Sequence, residues 1–155
     1  MDIAVTYSNE NQAMDIELDN DDLKLEEGLS TSVLLSLYLD SRAKDDSGID
    51  NPDLMRGWWG DLLAESPLNV GIGSNIWLLS RSSLTQTTYN LVELYIEECL
   101  QWMITDGVAK KILVAVEQTG SIETPIVSVV VSIFKRDGNI ETSKFNDLWE
   151  NQFKG

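Results

Sequence analysis

No histidine occurs among the 155 residues, and cysteine occurs once, as Cys99. Without imidazole, Ser-His-Asp and Cys-His nucleophilic chemistry is excluded, as are the usual zinc and haem ligand sets. A single thiol excludes an intrachain disulfide and a multi-thiolate metal site. Cys99 falls in a helical apolar pattern and is read as core. Basic side chains are also scarce, with 11 Lys and Arg against 26 Asp and Glu and a formal charge of −15. Residues 1–65 hold 16 of those acidic groups and only 4 of the basic ones. A field of that sign repels nucleic acid and anionic membranes and favours basic protein surfaces or other subunits as partners. Long apolar runs are missing, and the N-terminus lacks the basic-then-apolar layout of a signal peptide. The expectation is a single soluble, intracellular domain with no cofactor and no metal, and 43% hydrophobic residues suffice for a core.

Period-two alternation marks the N-terminal stretch. Residues 3–7 have strand composition, and Met14-Asp15-Ile16-Glu17-Leu18 alternates apolar and acidic side chains. A turn at Asn20-Asp21-Asp22 and a second alternation in Leu23-Lys24-Leu25-Glu26 predict a hairpin with an acidic outer face. Asp15, Glu17, Asp19, Asp21 and Glu26 also match the ligand spacing of a calcium loop, but Asn20 replaces the sixth-position glycine and no amphipathic helix precedes. An acidic strand face explains that spacing more simply.

A helix is expected over residues 29–43, with Ser30 or Thr31 as N-cap and Val33, Leu34, Leu37 and Tyr38 on its apolar face. Breaker-rich loops follow at residues 44–52 and 66–73. Residues 76–79 read as a helical turn around Trp77. Ser83-Leu84-Thr85-Gln86 has capping-box spacing, and a main helix follows to about Thr105, closed by Asp106-Gly107. Its expected apolar face is Thr88, Leu91, Val92, Tyr95, Cys99, Trp102 and Met103. Strands are predicted at residues 112–117, 126–134 and 139–144. The second is the central one, with Val127, Val129, Val131 and Ile133 on one face, and Asp137-Gly138 signals a two-residue hairpin. Phe145, Leu148, Trp149 and Phe153 recur at helical spacing. The fold class is α+β: an acidic N-terminal β-hairpin, two main helices, a C-terminal antiparallel sheet and a short terminal helix. One domain spans 1–155, with a β-rich acidic region at 1–28, a helical region with tryptophan loops at 29–107, strands at 108–144 and a helix at 145–155.

Arg56-Gly57-Trp58-Trp59-Gly60-Asp61 is the most distinctive stretch, and it lies between the two irregular loops. It is either a core-anchored corner or a subunit contact, where Trp and Arg are enriched. Arg56 and Asp61 are placed to pair with each other or to cap backbone groups, and Arg81 to meet an acidic partner. Asp61 and Glu65, one helical turn apart beside two tryptophans, form the single carboxylate pair worth weighing as a glycosidase site. Acidic residues are frequent enough here for close pairs to arise by chance. Gly71-Ile72-Gly73-Ser74 lacks the third glycine and the lysine of a phosphate loop.

Two groups of residues together resemble a known family. One is Asp40-Ser41-Arg42-Ala43 followed by the tryptophan motif. The other is Gly73-Ser74-Asn75-Ile76-Trp77-Leu78-Leu79-Ser80-Arg81, Leu84-Thr85 and Gln101-Trp102-Met103-Ile104-Thr105-Asp106-Gly107-Val108-Ala109. They resemble the Mu-like phage and prophage tail baseplate proteins, within the wider group of contractile-tail baseplate wedge proteins that act as sheath initiators. Asn75 stands where relatives are expected to carry a basic residue. The resemblance implies a non-enzymatic virion component, assembled in the host bacterial cytoplasm. It would contact other wedge subunits, the tail tube and sheath protein, bind neither nucleic acid nor membrane, and template the first sheath ring through strand exchange. A lysozyme-like activity through Asp61 and Glu65 is the alternative. Arg56, Gly57, Trp58, Trp59, Gly60, Asp61, Trp77 and Arg81 are the candidate interface residues. Trp58-Trp59 is expected to lock the loops onto the helices and to shape an assembly surface.

Overall fold

The computed structural model describes residues 2–8, 13–26, 28–44, 47–51, 54–62, 71–120 and 125–146. Its N-terminal region is a set of short antiparallel ribbons. Strands β1 (Asp2–Ile3), β2 (Val5–Ser8), β3 (Ala13–Ile16), β4 (Leu18–Asp19), β5 (Asp22–Leu23) and β6 (Leu25–Glu26) pair as β1–β6, β2–β3 and β4–β5. The β4–β5 arm closes on Asn20 and Asp21, both left-handed at φ 51° and 66°, as a two-residue hairpin requires. Where the three arms meet, the hydrogen bonds run in a ring. Ala4 N–H donates to Lys24 O (2.8 Å), Lys24 N–H to Glu17 O (2.9 Å), and Glu17 N–H to Ala4 O (3.0 Å). The expected single hairpin is therefore a three-way junction, because the strand at residues 2–8 divides its pairing between two neighbours.

Helix α1 (Ser30–Tyr38) receives its N-terminal cap from elsewhere in the chain, and neither Ser30 nor Thr31 provides it. Glu26 accepts from the N–H groups of Ser30 (2.9 Å) and Thr31 (2.8 Å), and Glu141 accepts from that of Leu29 (2.6 Å). Two carboxylates thus satisfy exposed donors at the positive end of the helix. Burial opposes the charge on Glu26, but the hydrogen bonds from Thr31 and Ser30 outweigh it and hold that carboxyl below its usual range. At its other end the helix stops at Tyr38 and does not reach residue 43. Ser74, itself buried, gives its hydroxyl to Leu37 O (2.8 Å) and its N–H to Leu39 O (2.8 Å), so the carbonyls that would continue the helix are already occupied.

Helix α2 (Gln86–Thr105) is capped by Thr85, whose side chain accepts from Thr88 N–H, rather than by Ser83. Its fully buried line is Val92, Ile96, Leu100 and Met103. Leu91, Tyr95, Cys99 and Trp102 flank that line and are partly buried. The expected face was rotated towards the loop side and missed Ile96 and Leu100, whose row rests on the sheet. Strands β7 (Ala109–Gly120), β8 (Pro125–Lys135) and β9 (Ile140–Phe145) form an antiparallel sheet in that order. Val127, Val129, Val131 and Ile133 on central β8 are all inaccessible, and each such side chain gains roughly 1.5–3 kcal/mol on leaving water. The β8–β9 connection has three residues rather than two. Gly138 N–H donates to Lys135 O (3.2 Å), and Lys135 N–H donates to Asn139 O (2.9 Å). That is the turn-plus-bulge form of hairpin. Phe145 closes β9 and Asn146 follows as a bend, so the expected helix does not begin at residue 145, and its remainder from residue 147 falls outside the described residues.

Tyr7 stacks on Tyr38 at 4.8 Å, and Tyr38 meets Phe145 edge-on at 6.5 Å. These rings tie β2, α1 and β9 together. The class is α+β.

Candidate functional site

The residues between α1 and α2 build a corner around one extended segment, 39–43. Asp40 bridges Ser74 in parallel, and Ser41 N–H donates to Ser74 O (3.0 Å). On the other side Ala43 N–H donates to Met55 O (2.8 Å). Two glycines let the flanking chains come this close. A Cβ on Gly73 (φ +103°) would lie 2.4 Å from Leu39 O, and one on Gly57 (φ +107°) would lie 3.0 Å from Arg42 Cβ. Beneath the segment, Ala43, Met55 and Trp77 form a small core of their own, with Ile49 and Leu78 against it.

Trp77 is the plug of this corner. It is 7% exposed, and its indole N–H donates to Ser41 O (2.9 Å). Arg56 covers its ring, with the guanidinium carbon 4.6 Å from the centroid, while Nη1 of Arg56 pairs with Asp40 Oδ2 at 2.6 Å. A stacked, paired guanidinium is held in one orientation, and the cation–π contact contributes about 0.5–1 kcal/mol at an exposed site. Arg56 itself has φ +50°, an uncommon conformation for a side-chain-bearing residue. Arg56 therefore pairs with Asp40, not with Asp61. Asp61 Oδ1 instead accepts from Ile72 N–H (3.2 Å), which ties the turn at Trp59–Leu62 to the chain entering Gly73.

Trp58 and Trp59 do not provide the expected lock. Trp59 is 68% exposed and Trp58 39%, with their rings tilted against each other at 5.6 Å. Trp58 covers Gly60, where any Cβ would enter its ring. The pair projects from the corner, and Trp77 supplies the lock. Sequence reasoning missed Ser74 and Lys44. A small polar residue in a Gly-Ser-Asn loop carries no local signal that it will cap a helix 37 residues upstream.

A groove of about 800 Å³ runs beside the corner, lined by Lys44, Arg56 and Arg81 together with Trp77, Leu54 and Ile49. Lys44 pairs with Glu98 at 3.4 Å, and Arg81 enters none of the ion pairs among the described residues. In a chain of net charge −15 this groove concentrates cationic groups. Glu65, the second carboxylate of the weighed glycosidase pair, lies outside the described residues. Among the described residues no cluster of His, Cys, Asp or Glu is arranged to hold a metal, and no helix is long and apolar enough to cross a membrane. The calcium-loop spacing is spread over paired strands. There Glu17 bonds Lys24 (2.8 Å), Asp19 bonds Asn20 (2.9 Å), and Asp15 accepts from Ile16 N–H (2.8 Å).

The model of the family described as phage protein GP46 matches residues 29–140, from the start of α1 to the first residue of β9, with the whole corner inside it. The chain belongs to the GP46 family of phage proteins. Among its relatives is the baseplate protein gp46 of Escherichia phage Mu, 39% identical over 118 residues, which cover 76% of this chain and 77% of the Mu protein. The Mu-like prophage FluMu protein gp46 of Haemophilus influenzae is 28% identical over 148 residues, 96% of this chain and 97% of that one. The corner is therefore a feature of a GP46-family domain, built on residues within the family match.

Proposed function

We propose that this chain is a non-catalytic structural component of a contractile phage tail baseplate. In this reading it contacts wedge subunits and the tail tube and offers its sheet as the template for the first ring of sheath protein. The name of the Mu relative supports the baseplate role. The observation that carries the templating role is the sheet edge. Strand β7 runs for 12 residues and, among the described residues, pairs on one side only, with β8. A long edge of free backbone donors and acceptors suits strand addition by a neighbouring subunit. A second opening supports the same reading, since a cavity of about 440 Å³ separates β2 from β9 between Val5, Thr6 and Tyr7 and Thr142, Ser143 and Lys144. The corner residues Arg56, Gly57, Trp58, Trp59, Gly60, Asp61, Trp77 and Arg81 form the wedge-facing side, where exposed Trp59 and cationic Arg81 are the contact groups and Trp77 fixes their placement.

Electron microscopy of tails from a phage lacking this gene tests the proposal. Tubes without sheath, restored to full tails by the intact chain, are expected. Normal contractile tails in its absence would overturn it.

A further inference from the structure

The open edge of β7 has a direction built into it. In the β8–β9 hairpin Lys135 N–H donates to Asn139 O (2.9 Å), so Lys135 turns its backbone groups towards β9. These groups alternate in side along an antiparallel strand, so Phe134 turns towards β7, where it faces Lys111. The register is regular from Lys111 to Gly120. Lys111, Leu113, Ala115 and Glu117 therefore bond β8, while Ile112, Val114, Val116 and Gln118 present N–H and C=O groups to the open side. Side chains alternate in step with them. Lys111, Leu113, Ala115 and Glu117 are exposed on the outer face, Val114 is buried, and Ile112 and Val116 are half-buried against the core.

The two ends of this edge differ in charge. Lys110 and Lys111 begin it, and Glu117 lies six residues beyond Lys111 on the same face, about 20 Å away. Glu93 of α2 adds to the acidic end, because Tyr89, one turn before it, donates its hydroxyl to Gln118 Oε1 (2.9 Å). Lys110, Lys111, Glu117 and Glu93 enter none of the ion pairs among the described residues. Helix α2 limits what can pair here, since it packs over β7. A second copy adding its own β7 would set the two α2 helices about one strand spacing apart, about 4.8 Å, whereas packed helices need about 8–10 Å. The occupant is therefore a strand with no helix over it.

We propose that β7 accepts a bare extended arm of another protein chain, running antiparallel to it. An antiparallel strand returns both bonds of Ile112, Val114 and Val116 to one residue each, whereas a parallel strand divides them between two. Opposite Glu117 the arm carries a basic residue, and six positions later, opposite Lys111, an acidic one. Aliphatic residues at its second, fourth and sixth positions cover Val116, Val114 and Ile112. Lys111 and Glu117 thus read the direction of the incoming strand. This rests on the reading of β7 as the strand-addition edge and adds the chemistry of the strand.

Two end-capped peptides, Arg-Val-Thr-Val-Thr-Val-Asp and its reversal Asp-Val-Thr-Val-Thr-Val-Arg, test this against the full chain by fluorescence anisotropy at low salt. The first is expected to bind roughly tenfold more tightly, since the second meets like charges when it runs antiparallel. Binding of the first is expected to slow amide hydrogen exchange at Ile112, Val114 and Val116. When Lys111→Glu and Glu117→Lys are combined, the preference between the peptides is expected to reverse. Equal affinities with slowing still at β7, or a preference that survives the charge swap, would overturn the proposal and leave strand addition standing. No slowing at β7 with either peptide would sink both readings. Wild-type dimers in sedimentation that dissociate in the Lys111→Glu chain would also overturn the proposal, since a second copy would then hold the edge.

Discussion

At Trp77 three restraints converge on one indole: burial, an N–H bond to Ser41 O, and the Arg56 guanidinium stacked above the ring and tied to Asp40. Removing that ring leaves a cavity beneath segment 39–43 and an unstacked arginine. Trp77→Ala is therefore expected to cost about 3–5 kcal/mol and to lower the melting temperature by roughly 10 °C, as measured by thermal denaturation. Trp59→Ala removes a side chain that is 68% exposed and is expected to stay within about 0.5 kcal/mol of the parent while weakening assembly with its partners. If the stability losses were reversed, the assignment of lock and contact would be wrong. Cys99 shows the same dependence on surroundings. Its thiol donates to Ile96 O (3.2 Å), and burial pushes its pKa up to about 12, which fits a packing role and leaves little thiolate at neutral pH.

Among the elements, α1 shows most clearly how distant residues set local structure. Its start depends on Glu26 and Glu141, and its end on Ser74. Because the Glu26 carboxyl lies below its usual pKa in the folded chain, its contribution is fully present above the unfolded value of about 4.5 and fades as pH falls through the lowered folded value. Glu26→Ala is expected to lose about 1 kcal/mol at neutral pH. The gap between variant and parent should close in urea titrations taken below pH 4.5, and a constant gap across that range would contradict the assignment. The elements whose signals are local were legible from sequence. Central β8 showed its buried face through alternating β-branched residues; the extent of α2 showed in its period and its Asp106-Gly107 close, though its buried line did not; and the Trp77 turn showed in its apolar run. The share of Glu141 in the cap of α1, the early end of that helix, and the fixing of Trp77 and Arg56 depend on contacts 16 to 112 residues apart, which periodicity does not encode. The junction was half legible. Alternation located its strands, but pairing between residues 2–3 and 25–26 requires a strand to change partner midway.

On the scale of the whole molecule, charge is segregated. The ribbons are acidic, while Lys44, Arg56 and Arg81 gather in the groove beside the corner. Lys44 and Arg56 are already paired there with Glu98 and Asp40, so Arg81 is the cation of the groove that enters no ion pair among the described residues. A catalytic reading makes a separate demand. The purified chain is expected not to clear peptidoglycan in a turbidity assay, and clearing that disappears in Asp61→Asn would establish the glycosidase alternative. The junction also couples the ribbons to the first helix. Asp2 finds its strand partner only at Glu26, and Glu26 is also the residue that secures the first turn of α1. The opening strand thus pairs with chain more than twenty residues further on, and the residue whose backbone completes it holds the first turn of the helix with its carboxylate. Ribbon closure and helix capping are thereby tied to one residue, so a change at Glu26 reaches both.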